Sequence, residues 1–191
     1  MKQLLLLLAL LLAAPLAQAQ KAKEDDSAPT LPRDPDSKMV TYTGVVEVLG
    51  ATQAQLYSRA FEWVAKRYNS AKDVVQMQDK ESGKIVVKGL TTAYFKGHEF
   101  GAVTHTFSIY VKDGKYKYDV TDLRHEALIN GNDYSYGNFE QAEPNYIPGA
   151  FKAAAKKAWV DMQRTTDEDV KAAVASLMAT MTAKTKDKSD F

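Results

Sequence analysis

The sequence predicts an α+β fold in which helices cover one face of an antiparallel sheet. Several segments are rich in β-branched residues and alternate between apolar and polar positions, which is typical of strands. Other segments place their apolar residues on one broad helical face, and such a face needs a sheet or another helix to lie on. The predicted order is strand, helix, four strands, helix, helix, and only the first strand needs a crossover connection.

The first strand is predicted over residues 39–49 (MVTYTGVVEVL), and Gly50 ends it. Thr52 and Gln55 then have the spacing of a capping box, in which the threonine hydroxyl and the glutamine side chain satisfy two backbone N–H groups. A helix over about 53–68 follows, with a wide aromatic and aliphatic face that we expect to lie on the sheet.

Four further strands are predicted, over residues 72–79, 84–95, 99–112 and 115–127. The last two flank Asp113-Gly114, a pair that accepts the positive φ angles of a two-residue type I′ turn. That turn fixes the register. It places three cross-strand pairs on one side, which is therefore predicted to be the buried one: Phe107 with Val120, Ile109 with Tyr118, and Val111 with Tyr116.

Residues 130–148 contain Gly, Asn and Pro and are predicted to form a loop. Two helices then close the chain. The first covers about 149–163, and the second starts at a Thr165/Thr166 cap, where three acidic residues suit the helix dipole. The sequence thus predicts a single domain over residues 39–183, followed by a disordered tail at 184–191.

Residues 1–19 have the features of a cleaved signal peptide. Lys2 precedes an apolar run at 4–12, and residues 17–19 (AQA) give the small-x-small pattern of a cleavage site after Ala19. The chain has no cysteine, so a lipoprotein anchor, disulfides and thiol chemistry are excluded. We predict export to the periplasm or the extracellular space. Residues 20–38, which are polar and contain three prolines, are predicted to form a flexible linker.

Charge argues against a nucleic-acid partner. The chain has 25 Lys and Arg residues and 24 Asp and Glu residues, so loss of Lys2 with the leader would balance them at 24 each. The two signs are interspersed, whereas nucleic-acid binders usually show a clustered basic excess. No cofactor or metal site is predicted.

Four segments carry a resemblance to a known family: 44–48 (GVVEV), 56–63 (LYSRAFEW), 79–89 (DKESGKIVVKG) and 107–118 (FSIYVKDGKYKY). In this order they resemble the DUF4468 family, a domain of unknown function with a TBP-like fold, over a core of about 41–128. The resemblance implies a β-α-β4-α layer and an exported bacterial protein. It supplies no catalytic residue.

Ser82-Gly83-Lys84 contains the Gly-Lys pair of a phosphate-binding loop. A P-loop, however, needs a glycine where Gln78 stands and a Ser or Thr where Ile85 stands, with a helix following. The residues after Lys84 continue as a strand. We therefore predict a hairpin turn at this position.

The predicted register places His105 opposite Asp122. Such a pair is either a structural hydrogen bond or, as the alternative function, the base of a hydrolase or lyase. Arg124 and Glu126 alternate with Asp122 along the same strand face, which marks either the rim of the core or a charged pocket. His98 and His125 are predicted to lie on the surface.

Four aromatic residues of the 130–148 loop are candidate binding residues: Tyr134, Tyr136, Phe139 and Tyr146. They either grip a protein or glycan partner or fold down as a lid over the sheet. The function that the sequence favours is a non-enzymatic binding or structural domain of the bacterial envelope. It would use the loop or the sheet face that the helices leave uncovered.

Overall fold

The computed structural model describes residues 27–68, 70–129, 132–145 and 149–183. The predicted signal peptide at 1–19, the first part of the predicted linker at 20–26 and the predicted tail from 184 lie outside these ranges. No helix in the described ranges is long and apolar enough to cross a membrane.

The described residues form one antiparallel sheet with six strands. They are β1 (Tyr42–Glu47), β2 (Val75–Asp79), β3 (Lys84–Phe95), β4 (His98–Lys112), β5 (Lys115–Ile129) and β6 (Asn132–Asn138). The order across the sheet is β1-β5-β4-β3-β2, and β6 also pairs with β5. β1 and β6 therefore share one edge of β5, and each pairs with a different half of it.

The helices are α1 (Gln53–Arg67), the short α2 (Ala71–Val74) and the long α3 (Lys152–Thr182), which a 3₁₀ turn at Gly149–Phe151 precedes. α1 begins with the capping box that the sequence predicts, since the Thr52 hydroxyl and the Gln55 side chain both bond as expected. Both α1 and α3 pack on the same side of the sheet. The predicted α+β class, with a TBP-like layer and a C-terminal helix, is confirmed.

The prediction of two closing helices is wrong, because α3 runs unbroken for 31 residues. Thr165 does not cap a new helix; its hydroxyl donates to the Asp161 carbonyl oxygen one turn earlier, at 3.1 Å. Asp167 is buried and accepts a hydrogen bond from the Tyr42 hydroxyl at 2.9 Å. The acidic residues that suggested a helix start therefore lie in the middle of a helix, and one of them ties α3 to β1.

The two predicted hairpins are present. Asp113-Gly114 joins β4 to β5 in the expected register, with Phe107 opposite Val120. Gly83 ends the turn between β2 and β3 at φ +71°, and a Cβ there would come within 2.4 Å of the Val111 carbonyl oxygen. Ser82-Gly83-Lys84 is thus a turn, as predicted, and its glycine is required by close backbone approach.

Two segments that the sequence assigns to irregular structure are ordered. Residues 132–138, predicted as part of a loop, form β6, which takes the edge of β5 beyond the end of β1. Leu31 is buried in the core, and Arg33 bridges to Val40 around a turn that the Asp34 carboxylate stabilises. Folded structure thus begins before residue 39, within the predicted linker.

Candidate functional site

A β-bulge lies where the sequence predicts a His105–Asp122 pair. Thr106 pairs with Thr121, but Thr104 pairs with Arg124, so two residues of β5 oppose His105. Asp122 takes up the extra residue with a left-handed φ of +58°. A bulge of one residue exchanges the two faces of the strand beyond it.

His105 therefore lies apart from Asp122. It is 5% exposed beneath the end of α1, and its Nε2 lies 3.0 Å from the Tyr68 hydroxyl. Burial, with a smaller effect of the Arg67 charge, lowers the pKa of His105 to about 4. Asp122 is exposed. The predicted pair is wrong, and its geometry gives no support to a catalytic dyad.

His125, predicted on the surface, is fully buried because it follows the bulge. Its Nδ1 accepts a hydrogen bond from the Tyr136 N–H at 3.0 Å, so the proton is on Nε2, which donates to the Phe100 carbonyl oxygen at 2.7 Å. The ring also contacts the rings of Phe100 and Tyr136, which stack on each other, so that the three rings form one cluster. Burial lowers the pKa of His125. This histidine joins β4, β5 and β6 in one neutral, fully bonded unit.

The candidate aromatic residues are divided between core and surface. Tyr136 and Phe139 are buried against Trp159 of α3, with ring centroids 6.3 and 5.1 Å from it. Tyr134 packs edge-on against Tyr136 and remains partly exposed, whereas Tyr146 lies outside the described residues. Tyr136 and Phe139 act as a lid that closes the core, and of the described candidates Tyr134 is the one that remains partly exposed.

The bulge also decides which side chains line the face of the sheet opposite the helices, which we call the open face. Beyond Asp122, Arg124 and Glu126 project onto this face, while Leu123 and His125 point inward. The predicted charged row is therefore present, but it lies on the open face and not at the rim of the core. It borders a pocket of about 300 Å³.

This pocket is part of a depression that we call the open-face trough. Its floor is the middle strand β4, which presents only small side chains there: Ala102, Thr104 and Thr106. Its walls are longer side chains of the two neighbouring strands: Lys88 and Leu90 on β3, and Asp122, Arg124 and Glu126 on β5. At one end, Tyr110 closes the trough beneath the ammonium groups of Lys84 and Lys117, which lie 5.5 and 6.0 Å from its ring centroid.

Contacts with β6 and within β5 hold the side chains of the β5 wall in place. The Arg124 guanidinium donates to Asn138 Oδ1 of β6 at 3.0 Å and lies 3.8 Å from the Glu126 carboxylate. The Asp122 carboxylate accepts a hydrogen bond from the Thr121 hydroxyl at 3.1 Å. On the opposite wall, the Lys88 side chain is exposed and makes no hydrogen bond or ion pair with a described residue.

Over the described ranges, no three His, Asp or Glu side chains are grouped so that they could hold a metal ion. The trough combines charges of both signs with hydroxyl groups. Such a surface can bind a polar ligand by charge and hydrogen bonding.

The part of the chain that contains β1, α1 and most of the sheet matches a known family. Residues 42–126 match the family model of a domain of unknown function (DUF4468) with TBP-like fold. Residues 42–126 form a DUF4468 domain. The match covers the segments on which the sequence resemblance depends, and it ends at Glu126, within the β5 wall of the trough.

Two solved structures share the fold of this chain. A DUF4468 family protein from Bacteroides ovatus aligns over 82% of this chain and 92% of its own, at 15% identity and a TM-score of 0.58. A TBP-like protein from Parabacteroides distasonis aligns over 73% of this chain and 93% of its own, at 13% identity and a TM-score of 0.52. At these identities the likeness concerns the fold alone. No curated protein is significantly similar in sequence to this chain.

Proposed function

We propose that the DUF4468 domain is a non-enzymatic binding domain of an exported bacterial protein, and that it binds its partner through the open face. Helices α1 and α3 cover one face of the sheet, whereas no described element covers the other. Val45 is 65% exposed and Leu90 is 63% exposed on that uncovered face. These two side chains are far apart, because Val45 is level with Lys84 and Leu90 lies six residues further along β3. The observation that carries the proposal is therefore that no described helix covers this face of the sheet.

Charge on the open face favours a protein or glycan partner over nucleic acid. Lysines and carboxylates occur side by side on this face: Lys115 pairs in register with Glu47 of β1, and Lys117 forms a 3.0 Å ion pair with Asp119 of the same strand. A face with balanced charge lacks the phosphate-neutralising excess on which nucleic-acid affinity depends. The TBP-like fold by itself does not imply DNA binding.

Photo-crosslinking in the native cells tests the binding surface. We would place a photoreactive amino acid at Val45 or Leu90 and, as a control, at Ala172 on the exposed side of α3. We expect one dominant crosslinked partner at the two open-face positions and none at Ala172. Crosslinks at Ala172 only, or equal crosslinks at all three positions, would contradict the proposal.

Export is tested separately by fractionation and N-terminal sequencing of the native protein. The signal sequence predicts a mature chain that begins at Gln20 outside the cytoplasm. A cytoplasmic chain that keeps residues 1–19 would disprove this part of the proposal. Purification from the native host without overexpression avoids saturation of the export machinery.

A further inference from the structure

We propose that the open-face trough binds a short peptide or amino acid through its charged amino and carboxylate groups. This inference rests on the proposed function, because it names a ligand class for the same open face. It is carried by the shape of the trough, by the separation of opposite charges across it, and by the bulge that builds one of its walls.

The trough has the dimensions of a single extended chain. Its floor runs from Ala102 to Thr106 along β4, a length of about 14 Å at the rise of an antiparallel strand. The walls stand on β3 and β5, two strand spacings or about 10 Å apart. The pocket of about 300 Å³ within it is at the lower end of the range for small-molecule sites. A ligand of two or three residues fits this space.

Across this width, the Lys88 ammonium group faces a wall that carries the carboxylates of Asp122 and Glu126, with the Arg124 guanidinium between them. Lys88, on the β3 wall, presents an ammonium group with no partner among the described residues. On the β5 wall, Asp122 and Glu126 present carboxylates, which among the described residues bond only with Thr121 and, at 3.8 Å, with Arg124. A ligand with a carboxylate at one end and an ammonium group at the other satisfies both walls at once.

The floor adds hydrogen-bonding groups between the two walls. The Thr106 hydroxyl lies between Lys88 and Thr121 in register and makes no hydrogen bond with a described residue. The Thr104 hydroxyl makes only a long contact of 3.4 Å, with the Arg124 carbonyl oxygen. These hydroxyl groups are therefore available to the amide group of a bound peptide.

The bulge is the feature that places Arg124 and Glu126 on the open face. Without the extra residue, Arg124 and Glu126 would continue the inward-pointing series of Val120 and would face the helices. The structure instead holds Asp122 at φ +58°, a conformation that costs free energy for a residue other than glycine. Bulges recur beside binding sites, where they redirect side chains.

A linear saccharide is the alternative ligand. The hydroxyl groups of the floor would suit a sugar, but sugars are usually held by an exposed aromatic ring. The ring nearest to the floor in register is Tyr94, which is 38% exposed and follows Thr92, the partner of Ala102, at one end of the floor. The charges along both walls favour the peptide, and the saccharide becomes one outcome of the test.

NMR titration of the ¹⁵N-labelled chain from Gln20 to Phe191 tests this inference. The probe is a mixed-sequence tripeptide library with free termini, and the comparison is the same library with acetylated and amidated termini. We expect saturable shifts of the Thr106 and Asp122 amide signals with the free library, and at least tenfold weaker binding with the blocked one. The same shifts with both libraries, or none with either, would overturn the inference.

Variants assign the two charges. Lys88→Met removes the ammonium group, and Asp122→Asn removes a carboxylate while it keeps a residue type that tolerates positive φ. We expect each to weaken peptide binding at least fivefold, whereas Lys80→Met, at an exposed turn outside the trough, leaves it unchanged. Unchanged binding in both trough variants, or saturation of the same signals by chitotetraose but not by tripeptides, would disprove the peptide assignment.

The two proposals fail in different ways. If tripeptides do not bind but the crosslinks at Val45 and Leu90 persist, only the ligand class is wrong. If the crosslinks also fail, the open face is not the binding surface. In that case the proposed function is wrong as well.

Discussion

The two halves of the β4–β5 pair differ in how far the sequence determines them. Between the turn and the bulge, the register follows from Asp113-Gly114, and five of the six residues predicted to face inward are buried, while Tyr118 is partly buried. Beyond the bulge, one additional residue at Asp122 exchanges the faces, so His125 is buried and Arg124 is exposed. Turn chemistry therefore fixes a register only as far as the next bulge, and the candidate site begins at that point.

The largest expected effect concerns His125, which lies in the half beyond the bulge. His125→Leu leaves the Tyr136 N–H and the Phe100 carbonyl oxygen buried without partners. Each unpaired group costs about 1–3 kcal/mol, so we expect the free energy of unfolding to fall by about 3–5 kcal/mol in urea denaturation.

His98→Leu, at the exposed turn between β3 and β4, serves as the control for this variant. We expect it to change the free energy of unfolding by less than about 0.5 kcal/mol. Equal losses in the two variants would show that the bonded unit around His125 does not stabilise the fold.

The second prediction concerns His105, at the bulge itself. Its pKa is about 4 in the folded chain, below the ordinary histidine value of 6.5. Between these two values the unfolded chain binds a proton that the folded chain does not, so stability falls as the pH is lowered from about 6.5 to 4. At about 1.4 kcal/mol per pH unit, this histidine accounts for a loss of about 3 kcal/mol.

Urea denaturation at pH 7 and pH 4 measures this loss, and His105→Phe provides the comparison. We expect the variant to be less sensitive to acid than the unmodified chain, with part of the dependence remaining because burial also lowers the pKa of His125. An unchanged pH dependence in the variant would contradict the assignment to His105.

The smallest expected effect concerns the bulge backbone. Asp122→Val places a β-branched residue at φ +58°, where it is strongly disfavoured. We expect a loss of about 1–2 kcal/mol in the free energy of unfolding. Thr121→Val, at the preceding position of the same strand, is the matched control and should stay within about 0.5 kcal/mol. If Asp122→Val lowers the free energy of unfolding no more than Thr121→Val does, the backbone at the bulge is not strained.

Most of the fold could be predicted from short-range signals. The capping box at Thr52, the turns at Gly83 and Gly114, and the alternation in the central strands are local, and local signals survive in the structure. The length of α3 could not be predicted in this way. Thr165 and the acidic residues after it are typical of a helix start, but Asp167 is instead held within the helix by its contact with Tyr42 of β1, which is 125 residues away.

The candidate site was predicted only in part. The sequence singled out Asp122, Arg124 and Glu126 as a charged row, and they do form one wall of the trough. It could not place Lys88 opposite them, because that neighbourhood depends on the pairing of three strands. It also paired His105 with the wrong residue. The only local hint of the bulge is that aspartate tolerates positive φ, and that hint is too weak to shift a register.

The sequence by itself determined the element types, the two hairpins, the family resemblance and the prediction of export, since each depends on residues that are close together in the chain. The tertiary structure decided which face each charged residue occupies beyond residue 121 and which groups meet across the sheet. The physical reason is that strand side chains alternate with a period of two. A single residue added by long-range packing therefore exchanges the buried and exposed faces, although the local sequence pattern is unchanged.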